Sequence, residues 1–284
     1  MSIRELIPFS GRLLKNRKIM TMSICMLPFA AELFLRAAEA MVYVLLLYYG
    51  GLSPDELLSG RSAVQMSAAL VFLLLRTAVT APLMYAAAVR LSQICGEQRI
   101  SPIKSVLSSR RNFKRSFAAA VISRIFGTLA LVPAVLCGIT AYRMLVDSDT
   151  PEKLFFTVHA FVLTAVMLGM WAAVKISFSA LPFYMAAYPE RSVIMLTFRT
   201  IKAMHGRRTT FLKLAGVFLP EALTVAGLPF AMTRFLTAWA LCISIHIKED
   251  EYNERIKAES AVGDSYDAAM LPYGKAGSVP KAAH

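Results

Sequence analysis

Charge is scarce in this sequence. Only 17% of its 284 residues are Asp, Glu, Lys or Arg, 57% are hydrophobic, and the mean hydropathy is +0.55, a balance that soluble globular domains seldom have. Catalytic motifs are also missing. The four cysteines, Cys25, Cys95, Cys137 and Cys242, have no CxxC spacing, so a paired-cysteine metal or redox site is excluded and they read as packing residues. No HExxH helix, P-loop or GxSxG elbow occurs, which disfavours a hydrolase or a nucleotide-driven pump; no metal and no cofactor are expected. Period-two alternation of apolar residues is absent, and a membrane barrel is excluded with it.

What is present is a set of apolar runs, at 19–49, 65–88, 117–144, 154–188, 209–226 and 228–247. A hydrocarbon core of roughly 30 Å takes about 20 helical residues to cross, and the backbone must satisfy its own hydrogen bonds there. The spacing therefore predicts an all-α polytopic membrane helix bundle of about six transmembrane helices. The net charge of +13 is distributed between the runs rather than gathered in one basic domain, so it does not point to nucleic acid. Arg4, Arg12, Lys15, Arg17 and Lys18 precede the first run; Arg90, Arg99, Lys104, Arg110, Arg111, Lys114 and Arg115 lie between the second and third; Arg191, Arg199, Lys202, Arg207 and Arg208 lie between the fourth and fifth. The alternate loops carry Asp55 and Glu56, then Asp147, Asp149 and Glu152. The positive-inside rule places both termini in the cytoplasm. The first run is too long and starts too late for a cleavable signal peptide.

The pattern repeats three times. A short segment precedes each outward run, opening with Ser2 and Glu5, with Ser101 and Pro102, or with Pro189 and Glu190, and stopping near Asn16, Asn112 or Gly206. Apolar residues such as Ile3, Leu6, Ile7, Leu13 and Leu14, or Val193, Ile194, Ile201 and Met204, share one face, as in helices lying in the membrane interface; solvated helices packed on the spans are the alternative. Among the returning runs, Arg76 to Tyr85 and Lys175 to Tyr184 match, each with nine positions from cation to tyrosine, and Arg234 keeps the cation alone. We expect three tandem interfacial-helix plus hairpin repeats of like orientation, at about 1–100, 101–188 and 189–250. They form a single membrane domain over 1–260, with the last helix extending to about Ser260 and a disordered cytoplasmic tail over 261–284.

Depth arithmetic singles out the ionisable residues inside the runs. Arg76, Lys175 and Arg234 each lie 14 residues before the cytoplasmic markers Arg90, Pro189 and Lys248, about 21 Å along a helix. Glu32 and Glu221 come 16 and 15 residues after Asn16 and Gly206, and Thr128 holds the corresponding place in the middle repeat. All five charges are thus expected in one layer, facing a bundle interior or an aqueous cavity. Three uses are open: ion pairs that fix helix register, a site for an anionic group, since three cations outnumber two acids, or snorkelling of the long side chains, which is hardest near mid-span. Glu32, Arg36 and Glu39 share one helical face and form a secondary polar face. Arg124, nine residues after Arg115, and Lys213 count as shallower, within snorkelling reach of the interface. Pro28, Pro82, Pro133, Pro182, Pro220 and Pro229 could kink their helices. His159 reads as a packing residue before a proton relay, and Met167 and Met170 as gap fillers.

The segments Ile3-Arg-Glu-Leu, Leu13-Leu-Lys-Asn-Arg-Lys, Leu181-Pro-Phe-Tyr-Met-Ala-Ala-Tyr-Pro-Glu-Arg-Ser and Met204-His-Gly-Arg-Arg resemble a six-span bacterial membrane family known as domain of unknown function 975, similar in layout to glycerophosphodiesterase membrane domains. The resemblance covers most of 1–250 and departs at the last span, which lacks the proline and tyrosine. It implies an architecture in the bacterial cytoplasmic membrane and transfers no catalytic residue. Two function classes follow from the residues. One is transport or handling of an anionic lipid or small anionic solute through a polar intramembrane site, with membrane lipids as partners through their anionic headgroups. The other is a non-catalytic scaffold or assembly subunit whose buried charges pair helices and whose partner is a membrane protein or a second copy. An intramembrane enzyme ranks third, because no oriented nucleophile or metal set accompanies the carboxylates.

Overall fold

The computed structural model describes residues 3–15, 18–49, 63–96, 107, 109–146, 151–224 and 227–270, and among these every regular element is a helix. In chain order they are α1 (Ile3–Leu14), α2 (Lys18–Tyr49), α3 (Ala63–Cys95), α4 (Arg110–Val146), α5 (Pro151–Ser179), α6 (Leu181–Ala187), α7 (Val193–Met204), α8 (Arg208–Ala222) and α9 (Leu228–Met270). The chain divides into two compact units, Met1–Ile243 and Ser244–His284. The described part of the second is helical throughout, since α9 continues past Ser260 and Gly263 to Met270, ten residues beyond the expected helix end.

Four stretches are long and apolar enough to cross a membrane: Val64–Cys95, Arg110–Val146, Leu154–Ala187 and Leu228–Ile256. Two of the six expected spans are not among them. The run at 19–49 forms α2, which has the length but carries Glu32, Arg36 and Glu39 in its middle. The run at 209–226 is realised as α8, whose 15 residues rise about 22 Å, short of the roughly 30 Å core. Its helix ends two residues after Pro220, and the chain turns at Thr224, whose hydroxyl accepts a hydrogen bond from the Gly227 N–H at 3.1 Å.

In the first unit α2 packs on α3 and α4 on α5, and α3 joins the two pairs by packing on α4 and α6. The join is built from small residues on α3, with Ala81, Ala86, Ala87 and Ala88 all buried, which lets helices approach closely. Around it sits a core of Tyr85, Ala119, Phe178, Leu181, Met185 and Leu196. Outward, α2 to α5 present Leu33, Phe34, Leu70, Leu129, Leu136, Phe161 and Val162 exposed, an apolar surface of the kind that lipid solvates. Hydroxyls inside these helices do not need water. Thr77, Thr80, Thr140, Thr164 and Ser177 each donate to the carbonyl four residues earlier, at 2.7 to 2.9 Å. The third pair, α8 with α9, is held by aromatic edges: Phe211 meets Phe235 at 5.3 Å and Trp239 at 4.8 Å between ring centroids.

The short helices depart from strict repetition. In α1, Leu6, Ser10 and Leu14 are buried at i, i+4 and i+8, and α7 ends at Met204 before Gly206, whose φ of 82° is the left-handed stop its glycine permits. The expected stop at Asn112 is not formed, because Asn112 lies inside α4, which begins at Arg110. The stop at Asn16 lies outside the described residues, as does nearly all of the segment at 101–108. Helix α7 starts later than Pro189: Ser192 is its N-cap and accepts from the Met195 N–H. Residues Tyr188 to Arg191 are instead a turn gripped by α4. The Arg115 guanidinium donates to the carbonyls of Tyr188 (3.1 Å), Arg191 (3.0 Å) and Pro189. Arg111 donates to Glu190 at 2.7 Å and holds that carboxyl below the usual carboxylate range.

Arg115→Ala leaves three carbonyls of this turn without their donor. The expected loss is about 2 kcal/mol of unfolding free energy, read by denaturant or thermal unfolding in detergent. Arg115→Lys, which cannot fork to three acceptors, should recover less than half of it.

Candidate polar site within the helix bundle

The ionisable side chains of α2 and α3 form one network. Arg76 reaches Glu39 at 3.4 Å and Glu32 at 3.8 Å, and Arg36 closes on Glu32 at 3.0 Å, one helical turn along α2. The spacing of Glu32, Arg36 and Glu39 explains this: all three lie on the α2 stripe that looks at α3, and the Tyr43 hydroxyl adds a 3.4 Å bond to Glu39. Burial is uneven, with Arg76 and Glu39 at 14% and 15% exposure while Arg36 is at 65%. The Nε of Arg76 is buried without an acceptor.

Two further cations approach this network from α4 and α5. Arg124 lies within electrostatic reach of Glu32, Arg76 and Arg36, and it is half-buried. Lys175 crosses to α4 at Gly127, where a methyl group would sit 2.8 Å from the ammonium nitrogen. That glycine opens the helix surface so the lysine can lie across it, and Thr128, expected at this level, is exposed. Among the described residues neither Arg124 nor Lys175 has a carboxylate within 4 Å. Among the described residues three cations, Arg36, Arg76 and Arg124, therefore stand around two carboxylates, Glu32 and Glu39, and Lys175 lies against the neighbouring turn of α4.

Arg124 and Lys175 both line a cavity of about 350 Å³. Its other walls come from α2 (Cys25, Phe29), α3 (Tyr85, Leu91), α5 and α6 (Phe178, Leu181), α8 (Phe211) and α9 (Leu236, Trp239). The volume is at the small end of the range for small-molecule sites, and the composition, mostly apolar with a few polar groups, is typical of them.

Arg234 and Glu221 do not join this level. They pair with each other at 2.7 Å across α8 and α9, with the Arg234 guanidinium 5.5 Å from the Phe218 ring centroid. Arg234 shares a second cavity with Lys18 and Ile19 of the first turn of α2, and the Thr237 carbonyl lies 3.9 Å from the Cys95 thiol at the end of α3. Glu32 is 14 residues beyond Lys18, about 21 Å along α2, and Arg76 is 19 residues from Cys95, about 28 Å along α3. Of the five charges expected in one layer, Glu32 and Arg76 meet, Lys175 lies against Gly127, and Glu221 and Arg234 pair with each other beside Lys18. The third pair is instead placed beside the first turn of α2, where Arg234 shares a cavity with Lys18.

Arg124 is the residue that sequence reasoning ranked too low. Counting from Arg115 gave nine residues; counting from the observed start of α4 at Arg110 gives 14, the depth of Arg76 from Arg90. His159 donates to the Phe155 carbonyl at 2.8 Å within its own helix and faces outward. Pro28, Pro82, Pro133 and Pro220 lie inside helices, whereas Pro182 and Pro229 stand in the first turns of α6 and α9, where a missing N–H costs nothing. Among the described residues no three His, Cys, Asp or Glu side chains are placed to hold a metal.

The two ion-pair sites should respond differently to loss of a carboxylate. Glu32→Gln with Glu39→Gln strands the buried Arg76 and is expected to cost about 3 kcal/mol in unfolding. Glu221→Gln, on a pair 39% and 45% exposed, is expected to cost less than about 1 kcal/mol by the same measurement.

Set beside protein-family models, curated proteins and solved structures, the chain matches none of them, so its functional reading rests on this geometry.

Proposed function

We propose that the protein binds an anionic amphiphile, a lipid or a lipid-like carboxylate or phosphate, within the bundle and handles it in or across the membrane. The supporting observation is that Arg124 and Lys175, which among the described residues have no carboxylate within 4 Å, line an apolar cavity. An apolar tail fits the walls formed by Tyr85, Phe178 and Trp239, and the two cations supply what an anionic head requires. A cation within the bundle is unfavourable unless an opposite charge neutralises it, and among the described residues neither has a carboxylate within 4 Å. Glu32 and Glu39 already serve Arg76 and Arg36, which makes those four supports of the site rather than its ligands.

A second reading, a non-catalytic scaffold or assembly subunit, is favoured by a different observation: Arg76 and Arg234 are neutralised inside their own helix pairs. The two readings separate in one experiment. The sequence has two tryptophans, and Trp239 lines the cavity at 2% exposure. In a Trp171→Phe background, phosphatidylglycerol brominated in its acyl chains is expected to quench Trp239, while brominated phosphatidylcholine is not. Arg124→Gln with Lys175→Gln should weaken that quenching at least tenfold. Equal quenching by both lipids, or none by either, would leave the scaffold reading standing.

The proposed layout is a cytoplasmic-membrane protein in which α2 to α5 cross the bilayer and both termini face the cytoplasm. Helices α8 and α9 enter from the cytoplasmic side and return, because α9 is beside the last residue of α3 by Thr237, nine residues or about 14 Å from its own start. The alternative layout is the six-span scheme of three like-oriented repeats, which the motifs in α1, α6 and α7 support. In a variant with the four cysteines replaced by alanine, Thr224→Cys is expected to resist an impermeant maleimide added outside, while Ser59→Cys is labelled. Equal labelling would restore six spans.

A further inference from the structure

The second cavity, of about 400 Å³, is independent of the first and lies where the end of α1 and the start of α2 meet α9. Gly11 and Leu14 come from α1, Lys18 and Met22 from the first turns of α2, and Phe230 and Arg234 from α9. We infer that this seam is a site for the phosphodiester of an acidic glycerolipid, with the phosphate between Lys18 and Arg234 and an acyl chain against Leu14, Met22 and Phe230.

Three observations carry the inference. Lys18 makes no ion pair among the described residues, and Arg234 uses one nitrogen for Glu221, leaving further guanidinium donors toward the cavity. Two cations against one carboxylate leave an excess positive charge at a place walled largely by apolar side chains. Gly11 has no heavy atom within 4 Å of where its Cβ would be, so the α1 wall stands back from the space rather than filling it. A free phosphate would satisfy the cations but leave the apolar walls without an occupant; a phospholipid answers both. The position suits it, because Lys18 opens the first apolar run after a basic segment, at the level of headgroups on the cytoplasmic side. Such a lipid would join α1 and α2 to α9.

The test counts bound lipid on the full chain. Delipidated protein in detergent, titrated with phosphatidylglycerol and examined by native mass spectrometry, is expected to retain two lipids. Lys18→Gln with Arg234→Gln should weaken one of them at least tenfold, and Arg124→Gln with Lys175→Gln only the other, so the two sites fail separately. Because Arg234→Gln strands Glu221, Gly11→Leu is the decisive variant: it fills the cavity from open space, leaves every charge in place and favours the helix. It is expected to lose the seam lipid while the thermal unfolding of the lipid-free protein is unchanged. Retention of that lipid in Gly11→Leu overturns the proposal. Protection from thermal unfolding by inorganic phosphate equal to that by phosphatidylglycerol overturns the lipid assignment as well.

Discussion

An ionised side chain inside a low-dielectric bundle must be neutralised nearby, and this constraint organises the structure. In the first helix pair Arg76 is held by Glu39 and Glu32 across α2 and α3. In the third, Arg234 is held by Glu221 across α8 and α9. Both solutions are local to one pair of antiparallel helices, as the cost of an uncompensated charge demands when the two helices are neighbours in sequence. Removal of Glu32 and Glu39 leaves Arg76 at 14% exposure without its partners, whereas the Arg234 and Glu221 pair, at 39% and 45%, keeps access to its surroundings.

The middle pair breaks the pattern. Lys175 finds Gly127 on α4, not an acid, and Arg124 on the same helix faces the Glu32 network from outside it. Their charge is added to a level already balanced by its own carboxylates. The cavity they line is built by every helix pair, with Tyr85 from α3, Phe178 from α5 and Trp239 from α9 around one space. The proposed anion site would thus arise from a shortage of acids in one helix pair combined with small residues, Gly127 and the alanines of α3, that keep the helices close and leave room between side chains.

Some of the fold was legible because it depends on local chemistry. Apolar runs long enough to span a bilayer, the left-handed stop at Gly206 and the shared face of Glu32, Arg36 and Glu39 are properties of a few consecutive turns. Helix starts were harder to read. Asn112 looked like a stop, yet α4 runs through it because Arg111 and Arg115 are engaged with the turn at Tyr188 to Arg191, a contact more than 70 residues away in sequence. That misplaced boundary concealed the depth of Arg124. The matched spacing of Arg76 to Tyr85 and Lys175 to Tyr184 likewise conceals a difference, since the first lies in one unbroken helix and the second is interrupted at Ala180.

The amino-acid order alone determined an all-helical chain with apolar, membrane-length segments and placed cations and carboxylates at regular distances along them, because helical rise and hydrophobic length act residue by residue. Only the tertiary structure decided which charges meet. Whether Arg234 stands level with Arg76 depends on which part of α2 and α3 the third helix pair packs beside, and whether Lys175 has a counterion depends on what α4 offers opposite it. Those are relations between helices, set by packing and by the cost of isolated charge, and no count along a single helix contains them.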